Sequence, residues 1–259
     1  MSTSLAVIDG SSYLALQQSG ALKEAMDANM GEGAILEEGD LTRVPTPLGG
    51  VTKWTVPSIA GDESEDDITG ILVCICRRGV LWGNDDPVEG TRPVLQTNDL
   101  VTATRSNDDN GNISQETLDQ FRLPGEPERY DWRALADDNG PFGYGLGKGG
   151  HGKRAKEQRV LFILREQEPF PLIVIVQPGS LKVMKQFIVD LSKAQIPHYR
   201  AVIKLRLKQS ISASGTTYSE IVPELVGKLD EATGKVVRER WTDTLSGVAR
   251  AMDVDTGSE

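Results

Sequence analysis

Two histidines and two cysteines in 259 residues leave little material for a metal centre or a disulfide framework. Cys74 and Cys76 stand two apart in an apolar run, where they share a strand face and cannot easily close a bridge, so they read as buried thiols in a reducing compartment. No apolar run reaches the roughly eighteen residues of a membrane span. The start, MSTSLAVIDGSSYLALQ, places no basic stretch before its apolar part, so no signal peptide is expected. The expected location is the cytoplasm, without membrane contact. Repeats of the kind that build solenoids are missing as well. No Ser–His–Asp, H-E-x-x-H or Cys–His arrangement is readable, and acidic pairs such as Asp66-Asp67 and Asp85-Asp86 sit in loop-like sequence. The expectation is therefore a non-enzymatic protein with no cofactor and no bound metal. With 38% apolar and 25% charged residues, the chain can bury one large core or two modest ones.

Charge is unevenly laid down. The net charge is −10, yet residues 141–209 carry thirteen basic and four acidic groups, and every other stretch is acidic. An anionic molecule of this kind does not coat nucleic acid indiscriminately, whereas one basic segment inside it fits a localised anion-binding surface.

Residues 12–28 read as a weak helix interrupted by Gly20, and residues 1–40 as a helical, acidic appendage. Strand compositions follow at Gly50–Val56, Ile68–Arg77 and Val94–Thr104, separated by polar, acidic loops. Residues 105–140 hold Pro, Gly, Asn and Asp with little periodicity and read as a long irregular excursion. Arg159–Arg165 and Pro171–Gln177 are two short apolar runs that fit a strand hairpin. Leu181, Met184, Phe187, Ile188 and Leu191 then make an amphipathic helix with Ser180 at its N-cap, ended by Pro197. In Tyr199–Gln209 the period of two puts Tyr199, Ala201, Ile203, Leu205 and Leu207 on one face, and Arg200, Lys204, Arg206 and Lys208 on the other. Such a row of cations could follow an extended phosphodiester backbone. Tyr218–Val226 reads as the returning strand, and residues 241–259 as an acidic tail. The fold class is β-rich α+β: an OB-like antiparallel β-barrel or curved sheet over residues 41–240, with one main helix and long loop excursions.

Residues 140–156, GPFGYGLGKGGHGKRAK, match G-x-G-x-x-G at Gly145–Gly150 and the beginning of G-x-x-x-x-G-K at Gly147–Lys153. Arg154 stands where a P-loop needs a hydroxyl, and the sequence beyond reads as a strand where both motifs need a helix, so neither phosphate motif is carried forward. What remains is a glycine-rich loop in which Lys148, His151, Lys153, Arg154, Lys156 and, just beyond, Arg159 could wrap a polyanion, with Phe142 and Tyr144 available to stack on bases. Trp54, Trp82, Trp132 and Trp241 are core anchors by residue type, with Trp82 and Trp132, beside loops, the stronger stacking candidates.

The order of these features resembles a family of tailed-phage early proteins. The resemblance runs from Gly70 through Arg78, Trp82 and Asn98-Asp99 to the Gly-x-Gly-Lys near 147, RVLFILR, PLIVIVQPGSLKVMKQFIVDLSKAQIPHY and SGTTYSEIVPELVG, roughly residues 41–227. That family is regarded as single-stranded-DNA-binding, in DNA metabolism. The resemblance therefore implies a non-catalytic protein of phage replication or recombination, working in the host cytoplasm. Its expected partners are single-stranded DNA, replication or recombination proteins recruited by the acidic tail, and further copies of the chain. Family members often carry a C-x-x-C-P pair and further cysteines, a zinc clip, before the Arg159 equivalent; RYDWRALADDNGPFGYGLGKGGHGKRAKEQR has none, so no zinc is carried over. The competing readings are a structural or interaction protein, such as a virion component or host-factor inhibitor, working through its acidic surface, and a Mg²⁺-dependent nuclease or nucleotide hydrolase.

Overall fold

The computed structural model describes residues 5–18, 20–31, 40–84, 92–212, 215–242 and 245. The protein is mixed α+β and strand-rich, built on one large mixed sheet. In chain order its elements are β1 (Val7–Ile8), α1 (Ser11–Gln18), α2 (Gly20–Met30), β2 (Arg43–Pro45), β3 (Trp54–Val56), β4 (Glu63–Glu65) and β5 (Asp67–Leu81). Then come β6 (Leu95–Thr97), β7 (Thr102–Arg105), α3 (Gln115–Asp119), β8 (Arg129–Asp131), α4 (Trp132–Ala136), β9 (Lys156–Leu164) and β10 (Leu172–Val176). The last are α5 (Leu181–Lys193), β11 (Ala201–Ile211), β12 (Thr217–Leu229) and α6 (Glu231–Val237). The described residues form two compact units, one from Met1–Ile75 and Val160–Val248, the other within Cys76–Arg159, where the sequence suggested a single domain over 41–240.

In the first unit β11 and β12 form a long antiparallel hairpin, and β11 pairs antiparallel with β5 on its other side. Beyond β5 come β9, then β10, then β2, the last pair parallel. The alternation read in the sequence holds: Ala201, Ile203, Leu205 and Leu207 face a core completed by Val44, Trp54, Ile68, Leu161, Ile163, Val174, Met184 and Ile221. Trp54 donates its indole N–H to the Leu205 carbonyl at 3.0 Å, which satisfies the one polar atom of a fully buried ring. Gly70 is a contact requirement, because a Cβ there would collide with the Leu164 carbonyl of neighbouring β9.

Helix α5 forms where its apolar spacing placed it, with Met184 and Leu191 buried and Leu181, Phe187 and Ile188 packed on the same core. Ser180 occupies the N-cap position without capping. Its buried hydroxyl accepts the Ile221 N–H at 2.9 Å and ties the helix start to β12.

Three expectations need correction. The excursion 105–140 is ordered: it contains α3, β8 and α4, and Arg105 holds its loop by bonding Asp108, Asn110 and Gln115. Its core gathers Leu81, Leu95, Leu118, Tyr130, Trp132 and Phe142 around apolar spacings too irregular to read as elements. The N-terminal region is no mere appendage, since β1 adds parallel to β12 and Tyr13 and Leu14 are buried. Trp241 and Leu245 are buried too, so ordered structure runs past 240; residues 246–259 of the expected acidic tail lie outside the described residues. The described strands form an open path rather than a closed barrel. Among the described residues no helix is long and apolar enough to cross a membrane.

Candidate nucleic-acid interface

The row expected on β11 exists in part and is neutral. Arg200 falls outside the strand, in the turn His198–Arg200, and its guanidinium donates to the Leu229 carbonyl at 3.0 and 3.1 Å. Lys204, Arg206 and Lys208 do share the face opposite the core, but a carboxylate stands beside each. Lys204 is 3.5 Å from Asp67 of β5, Arg206 is 3.2 Å from Glu224 of β12, and Lys208 is 3.0 Å from Glu220. Ser210 also donates to Glu220 at 2.6 Å. Burial pushes the Glu220 carboxyl up, but Ser210 and Lys208 together outweigh it and hold the group below the ordinary carboxylate range. This face is an ion ladder of three cations and three carboxylates, which cancels the cationic strip that the alternation alone implied. A signal for this was legible: Glu220 and Glu224 share one face of the returning strand by the same period of two. Register alone decides that they fall beside the cations, and register is a tertiary quantity.

The other basic group lies in the second unit, and the structure divides its roles. Phe142 is a core residue, 4% exposed, with the Arg154 guanidinium 6.0 Å above its ring. Arg154 also donates to the Gly83 carbonyl at 2.9 Å, and Lys153 to the Ala136 carbonyl at 2.8 Å while it faces Asp138. These two cations therefore staple the loop, and the Lys153 ammonium closes the C-terminal end of α4. Arg159 is largely buried, which lowers its pKa against the opposing pull of Glu157, 3.7 Å away. Lys156 is half-buried at the start of β9. Lys148 and His151 are exposed.

Tyr144 differs from all of these. Of the five tyrosines, five phenylalanines and four tryptophans, all among the described residues, it alone is exposed, at 72%. Trp132 and Trp241, like Trp54, are buried, and Trp82 is half-buried. A bridge to Lys153 fixes the Tyr144 backbone at the base of the turn Lys148–Gly150. The turn is closed from within: Gly145 and Gly147 N–H both donate to the Gly152 carbonyl. Gly145, Gly149, Gly150 and Gly152 all have φ between 64° and 84°, so the glycine richness serves a left-handed backbone path. Strand β9 follows the turn, and no helix N-terminus stands behind it for a phosphate.

No family model, curated protein or solved structure matches this chain. Its function is thus argued from its own geometry. Among the described residues no group of three or more His, Cys, Asp and Glu is placed to hold a metal ion. Cys74 and Cys76 are not joined in a disulfide.

Proposed function

We propose that this protein binds single-stranded DNA without catalysing a reaction on it, and that the loop around Tyr144 is the contact. The observation that carries the reading is the exposed Tyr144 ring, held on a structured turn beside Lys148 and His151 while every other aromatic is at least partly buried. A solvent-facing ring stacks on any base, and Lys148 offers a cation to the phosphates; such stacking contributes about 1–3 kcal/mol per base. The sheet supports the same reading. Strands β11, β5, β9 and β10 lie in the spatial order 4-1-2-3 of a Greek key, with α5 between the third and fourth and β12 beside the fourth. That order fits a partly open, OB-like five-stranded barrel, whose loop between the first two strands is one of its oligonucleotide-binding loops. In this chain the Tyr144 loop belongs to that connection, between β5 and β9. The features in the sequence that resemble tailed-phage early proteins support a role for that binding in replication or recombination.

The test is an anisotropy titration with a labelled oligo-dT at several salt concentrations. The expected outcome is binding whose log K falls with log salt at a slope of about −1, for the one or two phosphate contacts that Lys148 and Lys156 can supply. Tyr144→Ala is expected to weaken it about tenfold or more. An absence of binding at low salt, or full affinity in Tyr144→Ala, overturns the proposal.

A further inference from the structure

The tetrapeptide Asp-Asp-Asn-Gly occurs twice in the second unit, at 108–111 and at 137–140, and these hold the only Asn-Gly pairs in the sequence. Asparagine before glycine is the pair most prone to lose its side-chain amide. A glycine has no Cβ to hinder its backbone nitrogen from reaching the neighbouring carboxamide. Local sequence gives the two asparagines the same reactivity, and the fold separates them.

The two nucleophiles are matched. Gly111 N–H donates to Asp109 Oδ1 at 2.9 Å and Gly140 N–H to the Asp137 carbonyl at 2.9 Å, so each must first release one hydrogen bond. The two electrophiles are not matched. The Asn110 carboxamide is held at both ends: its Oδ1 accepts from Arg105 Nη2 at 2.6 Å, and its Nδ2 donates to Gln115 Oε1 at 2.8 Å. Turning its Cγ toward the Gly111 nitrogen breaks both bonds, and the one from the guanidinium is charge-assisted. Asn139 is exposed on the loop after α4, where its backbone N–H donates to Asp137 Oδ1 at 3.0 Å. Among the described residues nothing bonds its carboxamide, so no hydrogen bond opposes its rotation.

We propose that Asn139 is a site of spontaneous covalent modification, deamidation through a cyclic imide, and that Asn110 in the same tetrapeptide is protected by Arg105 and Gln115. The Gly140 nitrogen, its proton lost to solvent base, attacks Asn139 Cγ. The N–Cγ bond forms, the Cγ–Nδ2 bond breaks, and Nδ2 takes a proton from water and leaves as ammonia. Water then adds to one of the two imide carbonyls and opens the ring, which leaves aspartate or isoaspartate at 139. Water is the only co-reactant, and no atom is oxidised or reduced. The product places a new carboxylate next to Asp138, whose own carboxylate stands 2.6 Å from the Lys153 ammonium and whose carbonyl accepts the Tyr144 N–H.

The test is incubation of the full-length protein in mildly alkaline buffer at physiological temperature, with peptides covering both tetrapeptides quantified by mass spectrometry. In the folded protein Asn139 is expected to convert about tenfold or more faster than Asn110, and in guanidinium the two rates are expected to agree within about twofold. Gln115→Ala removes one of the two bonds on Asn110 at an exposed position, and is expected to raise the Asn110 rate about threefold or more while leaving that of Asn139 unchanged. An Asn139 that stays intact or converts no faster than Asn110, a difference that persists in guanidinium, or an unchanged Asn110 rate in Gln115→Ala overturns the proposal. None of these readouts involves DNA, so this inference and the proposed DNA contact fail or stand separately.

Discussion

His198 shows how a residue read as structural acquires a measurable consequence. Its ring sits edge-on to Tyr199, 5.5 Å between centroids, and its buried Nε2 has no partner. Burial pulls its pKa below the ordinary value, against the raising effect of its hydrogen bond to the Val73 carbonyl. The folded state therefore keeps the ring neutral, whereas the unfolded chain protonates it near pH 6.5. Stability from this group is complete above that pH and declines as pH falls toward the lower folded-state pKa. Thermal unfolding between pH 7.5 and 5 is expected to show the loss, and His198→Gln to flatten it; equal slopes in both proteins would rule this account out. Tyr144 is the opposite case: nothing in its sequence context distinguishes it from Phe142, two residues away. One ring is in the core and the other is in solvent, because the chain turns between them at Gly143, where any Cβ would collide with the Asp137 carbonyl.

At the level of elements, the β11–β12 hairpin was legible in advance and its electrostatics were not. Alternation within a strand fixes which side chains share a face, so the core side of β11 was readable from Ala201 to Leu207. The partners of Lys204, Arg206 and Lys208 come from β5 and β12, and only the register that sets Lys208 opposite Glu220, Lys204 opposite Glu224 and Arg206 opposite Asp67 brings the three cations and three carboxylates together. Exposed pairs of this kind contribute about 0.2–1 kcal/mol each. The double substitution Lys204→Ala, Arg206→Ala is accordingly expected to lower stability by about 1 kcal/mol in urea melts and to leave oligo-dT affinity within about twofold. A large affinity loss in that variant would return the DNA contact to β11. The junction of α5 with β12 is more demanding. Ser180→Ala leaves the buried Ile221 N–H without its acceptor and is expected to cost about 1–3 kcal/mol in the same melts, and an unchanged midpoint would remove Ser180 from that role.

For the whole molecule, a net charge of −10 sets what the DNA contact has to overcome. Long-range repulsion opposes any polyanion, so binding relies on contacts unavailable in a duplex, where bases are already stacked. Single-stranded oligonucleotide is therefore expected to bind about tenfold or more tightly than duplex of equal length in the same titration, and equal affinities would refute a stacking contact. The sequence by itself determined what depends on neighbours along the chain: the strand-rich class, the amphipathic α5, the two-faced β11 and the unsuitability of the 145–153 segment as a P-loop. Only the tertiary structure decided which charges are cancelled, which aromatic remains in water and how the glycine-rich turn is closed. The division has a physical cause. Periodicity is a local property of backbone geometry, whereas burial and ion pairing depend on segments far apart in the chain, as Asp67 is from Lys204 and Ser180 from Ile221.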